Sequence, residues 1–147
     1  MKPNIFTSPQ NRFTFSYPGD WESLVVEEIP AFFHPQGTGV LQIYSFENKI
    51  SDVDPMKELE NYIAIHEIDF NEDLVAKFKN SEGNLIYSCE FKKDDRHWCA
   101  YSIANGKKMV IATFNSDIDI SDLMFRTLAT IISSLRFLDE TKENQLT

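Results

Sequence analysis

Residues 84–116 read NLIYSCEFKKDDRHWCAYSIANGKKMVIATFNS, and their punctuation decides the fold. Leu85, Tyr87, Cys89 and Phe91 alternate with polar positions, the period of two expected of a strand with one buried face. Lys93-Asp94-Asp95 is a turn. His97, Cys99, Tyr101 and Ile103 then alternate along a second strand. Asn105-Gly106 follows, the strongest short hairpin signal, because a type I′ turn needs positive φ at both central positions. Lys108 to Ser116 returns as a third strand. Consecutive hairpins make an antiparallel sheet, not a doubly wound parallel one.

Strands precede the meander. Phe13, Phe15 and Tyr17 share one face of a strand over residues 12–17, which Pro18-Gly19-Asp20 ends. Two short runs, 24–29 and 31–34, are punctuated by Pro30 and Pro35. Residues 39–46 are apolar on parts of both faces, as in an interior strand. A first meander strand starts near Leu74 and is broken by Ser81-Glu82-Gly83.

Two helices complete the pattern. Asp54 before Pro55 marks a helix start, because the carboxylate caps free N–H groups and Pro fits the first helical position. Met56, Leu59, Ile63, His66 and Phe70 fall on one face, so this helix runs to about residue 66 or 70. A second helix spans about residues 121–136, with Met124, Leu128, Ile131, Ile132 and Leu135 as its apolar stripe. The expected architecture is one α+β domain over residues 1–147: an antiparallel β-sheet flanked by two principal α-helices, an α/β/α sandwich. Residues 139–147 read as a frayed polar tail.

Two stretches carry a resemblance. Phe13-Thr14-Phe15-Ser16-Tyr17-Pro18-Gly19-Asp20-Trp21 resembles the opening F-x-F-x-Y-P-x-x-W of the PsbP-like fold family (Mog/PsbP-like, on a bacterial branch). Ile131-Ile132-Ser133-Ser134-Leu135-Arg136-Phe137 resembles its final helix and exit, and Gly39 to Phe46 after His34-Pro35 is compatible with its middle. The resemblance covers nearly the whole chain and implies a central antiparallel sheet between helices. The group includes a photosystem accessory protein, a Ran-GTPase-binding transport factor, bacterial lipoproteins and type VI secretion effector chaperones. What it implies in common is binding of another protein. Shared fold does not give function, and no branch-specific motif carries a functional residue over to this chain.

Composition narrows the partners. The net charge is −9, from 14 Lys+Arg against 23 Asp+Glu. A sequence pI near 4.7 argues against general nucleic-acid binding and against attachment to anionic lipid by charge. The N-terminus has no apolar signal-peptide core, no apolar run spans a bilayer, and two lone cysteines suit a reducing compartment, so a cytoplasmic protein is expected.

Searching for chemistry yields little. Five scattered glycines make no phosphate-binding loop. His66-Glu67 lacks the second histidine of a zincin motif. The spacing of three histidines and two cysteines suits no metal site, so neither metal nor organic cofactor is expected. With a three-residue loop at Lys93-Asp94-Asp95, Cys89 lies directly across from Cys99 on the face of His97. A disulfide is then geometrically open, but two buried, unpaired thiols are the expectation.

Residues 52–73 hold eight acids against Lys57 alone, −7 of the chain's −9. On the helical wheel Ile65 and Ile68 fall opposite the core stripe, among those acids. Glu60, Ile65, Glu67 and Ile68 are therefore the candidate binding residues; in the competing reading the helix end unwinds and tucks the isoleucines inward. Trp98 is a second contact candidate unless the second helix covers its strand face. The expected function is a non-enzymatic protein-binding module with an acidic contact helix, an adaptor, a chaperone or an immunity-type protein, whose partner is another protein of basic character. The alternative is a small-molecule binder or weak hydrolase using an aromatic cleft around Tyr87, Tyr101 and His97.

Overall fold

A computed structural model describes residues 2–138. Its strands are β1 (Asn4–Thr7), β2 (Phe13–Tyr17), β3 (Glu22–Val26), β4 (Ile29–Phe33), β5 (Val40–Glu47), β6 (Ala76–Lys79), β7 (Leu85–Lys93), β8 (Arg96–Asn105), β9 (Lys108–Ser116) and β10 (Arg136–Phe137). Helix α1 spans Pro55–Ile65 and α2 spans Asp122–Ser133. Seven strands form one sheet in the order β3-β4-β5-β9-β8-β7-β6, and β1-β2-β10 form a second. Every pairing is antiparallel. This is the expected α+β architecture; the residues expected to form a polar tail, 139–147, lie outside the described ones.

The sequence pattern missed the second sheet. Helix α2 stops at Ser133, and Arg136–Phe137, expected at the helix exit, pair with β2 instead. The hydroxyl of Ser134 accepts from the Ser16 amide at 2.9 Å, locking that exit onto β2. Asn80, buried beside the β6–β7 turn, donates its side-chain amide to the Leu135 carbonyl at 2.9 Å.

The main core lies between the two sheets and under α2. Phe13 and Phe15 of β2 meet Phe32, Leu41, Ile103 and Phe114 of the large sheet, with Leu128, Ile131 and Ile132 of α2. Rings interlock here: Phe15 meets Phe32 edge-on at 5.1 Å and Phe6 meets Phe32 at 5.1 Å. Each fully buried Phe contributes about 1.5–3 kcal/mol, so Phe13, Phe15, Phe32 and Phe114 concentrate stability on this layer. Helix α1 covers the opposite face over β7 and β8, where Leu59 and Ile63 pack on Cys89 and Ala100.

Turn chemistry differs from the sequence reading at two hairpins. Asn105 pairs with Lys108 as a strand residue, so the turn residues are Gly106 and Lys107. Gly106 has φ +62° while Asn105 is not left-handed, the pattern of a type II′ turn with Gly first. At the other hairpin Lys93 pairs with Arg96, leaving a two-residue Asp94-Asp95 turn with both residues at positive φ.

Gly39, at φ +102°, opens β5 against the aromatic core. A Cβ there would stand 2.5 Å from the Phe114 ring and 2.8 Å from the Asn115 carbonyl. Gly39→Ala should therefore cost about 1–3 kcal/mol from overpacking, with about 1–3 kcal/mol more from backbone strain. Urea titration should show a lowered midpoint at unchanged slope; an unchanged midpoint would contradict the close approach.

Candidate functional site

Helix α1 is assembled as its sequence suggests. Asp54 caps it, its carboxylate accepting from the amides of Met56 at 3.0 Å and Lys57 at 3.3 Å. Ser102, on the small-residue strip Ala100–Ser102 of β8, donates to the Pro55 carbonyl at 2.8 Å. Short side chains there let the helix approach the sheet closely.

Its far end decides the fate of the candidate residues. The helix stops at Ile65, and Glu67 takes φ +60°. The Ile68 amide donates to the Ile63 carbonyl and the Glu67 amide to the Ala64 carbonyl. These are the two bonds of a Schellman cap, and Ile68 makes the accompanying apolar contact, packing back against the Leu59–Ile63 cluster. Ile65 and Ile68 are therefore not an outward pair. Ile65 is 77% exposed; Ile68 is half-buried with Phe70 beyond it; Glu60 is half-buried and Glu67 exposed. The signal for this cap was hidden, because such caps favour Gly at the left-handed position and this one uses Glu.

A second surface escaped sequence reasoning. All five residues of β3 are exposed, with Leu24, Val25 and Val26 at 46%, 67% and 45%. β3 is an edge of the large sheet. Its hairpin to β4 turns through Glu27 and Glu28, both left-handed. The available signal was the charge pattern: residues 13–48 contain five acids and neither Lys nor Arg.

The aromatic cleft does not form from the three residues expected to line it. Tyr87 pairs with Ser102, on the α1 face, whereas His97 and Tyr101 point to the other face, where Tyr101 is buried in the core. His97 instead meets Asp119 at 2.9 Å, beside an open depression of about 420 Å³ that Glu90, Lys92 and Trp98 also line. Trp98 is half-buried on the α1 face, stacked on Phe91 at 5.8 Å and beside His66 at 5.6 Å. His66 in turn packs on Tyr62 at 4.7 Å, so it fills the edge of the α1 layer.

The cysteines are likewise separated. Cys89 pairs with Ala100 and Cys99 with Glu90, so the two thiols occupy opposite faces of the sheet. The cross-strand disulfide that a three-residue loop would permit is thereby excluded, and both thiols are free and buried. Burial pushes each thiol up to about 12, with the Glu90 charge adding to the rise and, at Cys99, a Tyr101 hydrogen bond opposing it. A protonated, buried Cys99 beside His97 is no nucleophile. Among the described residues no three His, Cys, Asp or Glu side chains group as metal ligands, and no helix is long and apolar enough to cross a membrane.

No family model and no curated protein matches the sequence. Solved structures do. A protein of Bacteroides thetaiotaomicron superposes with a TM-score of 0.67 at 18% identity over 96% of this chain. The chain spans 50% of that protein's length. The cyanobacterial PsbP (CyanoP) of Synechocystis superposes with a TM-score of 0.64 at 14% identity, covering 92% of each chain. The chain has a PsbP-like fold. At these identities the PsbP-like likeness is one of architecture. The F-x-F-x-Y-P-x-x-W stretch, residues 13–21, lies on β2 and the corner that leads into β3.

Raised thiol pKa values have a pH consequence. Below the ordinary value of 9.0 both native and unfolded thiols hold their protons and add no pH dependence. Above it the unfolded chain ionises while the native one does not, so stability falls as pH rises towards about 12. Native protein should resist thiol reagents at about pH 8, and two labels should enter after unfolding. Replacing both cysteines with Ala should lessen the alkaline loss of the urea midpoint, whatever that variant's stability at neutral pH, the remainder coming from Tyr44, Tyr62 and Tyr101, whose hydroxyls burial also pushes up. Fast labelling of the native protein would overturn the assignment.

Proposed function

We propose that this PsbP-like chain is a non-enzymatic protein-binding module acting in the cytoplasm, with an acidic surface that receives a partner of basic character. Two free, buried thiols support the compartment. One observation carries the binding role. Glu67 is exposed at the C-terminal end of α1 in the left-handed region, and the last turn of that helix carries no basic residue. Two local energies oppose an acid there. The left-handed conformation costs a non-glycine residue about 1–2 kcal/mol. The negative end of the helix dipole repels the carboxylate by about 0.3–1 kcal/mol. Strained backbone clusters at binding and switch sites, and an outlier motivates a functional hypothesis. Beside Glu67 stands the exposed Ile65, in a stretch from Glu58 to Asp73 that has six acids and no Lys or Arg. Acids accelerate encounter with a basic partner, and an exposed aliphatic side chain slows departure. Such a surface would serve an adaptor, a chaperone for a secreted effector or an immunity-type protein against a basic toxin.

The test exploits the cap. Glu67→Gly should raise stability by about 1 kcal/mol, because Gly suits the left-handed position. With a partner captured from native cells and then purified, the same variant combined with Glu60→Lys should associate more slowly, chiefly at low salt. Ile65→Ser should leave folding intact and hasten dissociation. Ile68→Ser is a packing probe and should destabilise the helix end. Unchanged association of the double variant at low salt would refute the acidic contact surface.

A further inference from the structure

The two edges of the large sheet are built in opposite ways. At β6, Lys77 and Lys79 alternate with Ala76 and Phe78, the charged-edge pattern that discourages strand addition. At β3 the sequence Glu22-Ser23-Leu24-Val25-Val26 leaves three aliphatic side chains exposed, and among the described residues no strand lies beyond it in the sheet. Its neighbour β4 holds β5 through only two pairs, Ala31 with Gln42 and Phe32 with Leu41, although β5 continues along β9 as far as Glu47. Where β4 parts from β5, a cavity of about 330 Å³ opens, lined among others by Phe6, Val25, Ile29, Pro30 and Ile43.

Charge fixes what fits. Glu22 stands at one end of β3, and Glu27 and Glu28 form the turn at the other. A two-residue turn with both residues left-handed suits Asn-Gly; two glutamates there, at φ +52° and +69°, oppose both backbone preference and each other. The surrounding stretch, residues 13–48, supplies no Lys or Arg to neutralise them.

We propose that β3 is a strand-addition site for an extended segment of another protein, apolar at alternate positions and carrying Lys or Arg between them. Main-chain hydrogen bonds to the free edge of β3 hold the segment. Its apolar side chains lie beside Leu24, Val25 and Val26, and its cations meet Glu22, Glu27 and Glu28. This rests on the protein-binding reading above and names a surface and a partner chemistry for it. A second copy of the chain fits worse. Two β3 strands run antiparallel would bring the Glu27-Glu28 end of each towards the Asp20 and Glu22 end of the other. The lysines of a second β6 sit between Glu72, Asp73 and Glu82 of their own chain.

The probe is a soluble, capped peptide of alternating Lys and Val, compared with its Glu-Val counterpart and with two versions N-methylated along one or the other backbone edge. Nuclear magnetic resonance titration of the full chain should show shifts and slowed amide exchange over β3. The Glu-Val peptide should not bind, and one N-methylated version should bind about tenfold more weakly. Glu27→Asn with Glu28→Gly should weaken the Lys-Val peptide several-fold while melting no lower than the parent, because the new turn residues suit the turn. Shifts confined to residues 58–73 would overturn the edge site and leave the acidic-surface reading standing. Absence of binding by the Lys-Val peptide, equal binding of both N-methylated versions, or a parent dimer with protected β3 amides would each overturn it too. The kinetics of the α1 variants with a purified partner judge the broader reading separately.

Discussion

Everything on both faces of the large sheet depends on the register of β7 against β8, and two residues set that register. Asp94 and Asp95 turn the chain in left-handed conformations, and Lys93 pairs with Arg96. Because side chains alternate with a period of two, shifting the pairing by one residue would bring opposite-facing residues together. In the observed register Ala100 and Ser102 lie under α1, where short side chains admit a helix. Cys99, Tyr101 and Ile103 enter the aromatic layer, where volume is needed. The turn is thus where local backbone strain is exchanged for sorting of small and large residues between two cores.

The second sheet follows from the same need for volume. A single amphipathic helix cannot cover seven strands, and α2 leaves part of the inner face bare. β1, β2 and β10 complete the cover with Phe6, Phe13 and Phe15. The cost is a chain exit that must change from helix to strand within two residues. Ser134 and Asn80 meet it, each supplying a side-chain hydrogen bond where the helix ladder ends.

Patterned elements were legible in the sequence, and unpatterned ones were not. Alternation in residues 84–116, the cap at Asp54 and the apolar stripe from Met124 to Leu135 delivered the antiparallel meander and both helix starts, because period and capping are local properties. β10 has only two residues, too short for any period, and gains its identity from β2. The Cys89–Cys99 relation failed for a different reason. It required the loop length to one residue, and Asp94-Asp95 carries no Gly to announce a two-residue turn. For the candidate site, the charge excess of residues 52–73 was readable as composition. The direction of Ile68 was not, because a glutamate stands where the cap normally shows a glycine.

Acids in left-handed turns link these cases. Glu27, Glu28, Glu67, Asp94 and Asp95 all have positive φ, positions where Gly or Asn would be favoured. Asp94 and Asp95 have a structural return, since the register of both cores hangs on their turn, and Asp tolerates the conformation better than Glu. Glu27 and Glu28 close the β3–β4 hairpin and Glu67 closes the α1 cap, but shorter or uncharged residues would close the same turns with less strain. All three are exposed, and all three stand next to exposed aliphatic side chains, Val26 for the first two and Ile65 for the third. Strain that Gly or Asn would relieve, charge without a cation nearby in sequence and exposed apolar side chains coincide at the β3 hairpin and at the end of α1. Each of the three alone is ordinary on a protein surface; their coincidence at both places is what supports the proposed contact with a basic partner.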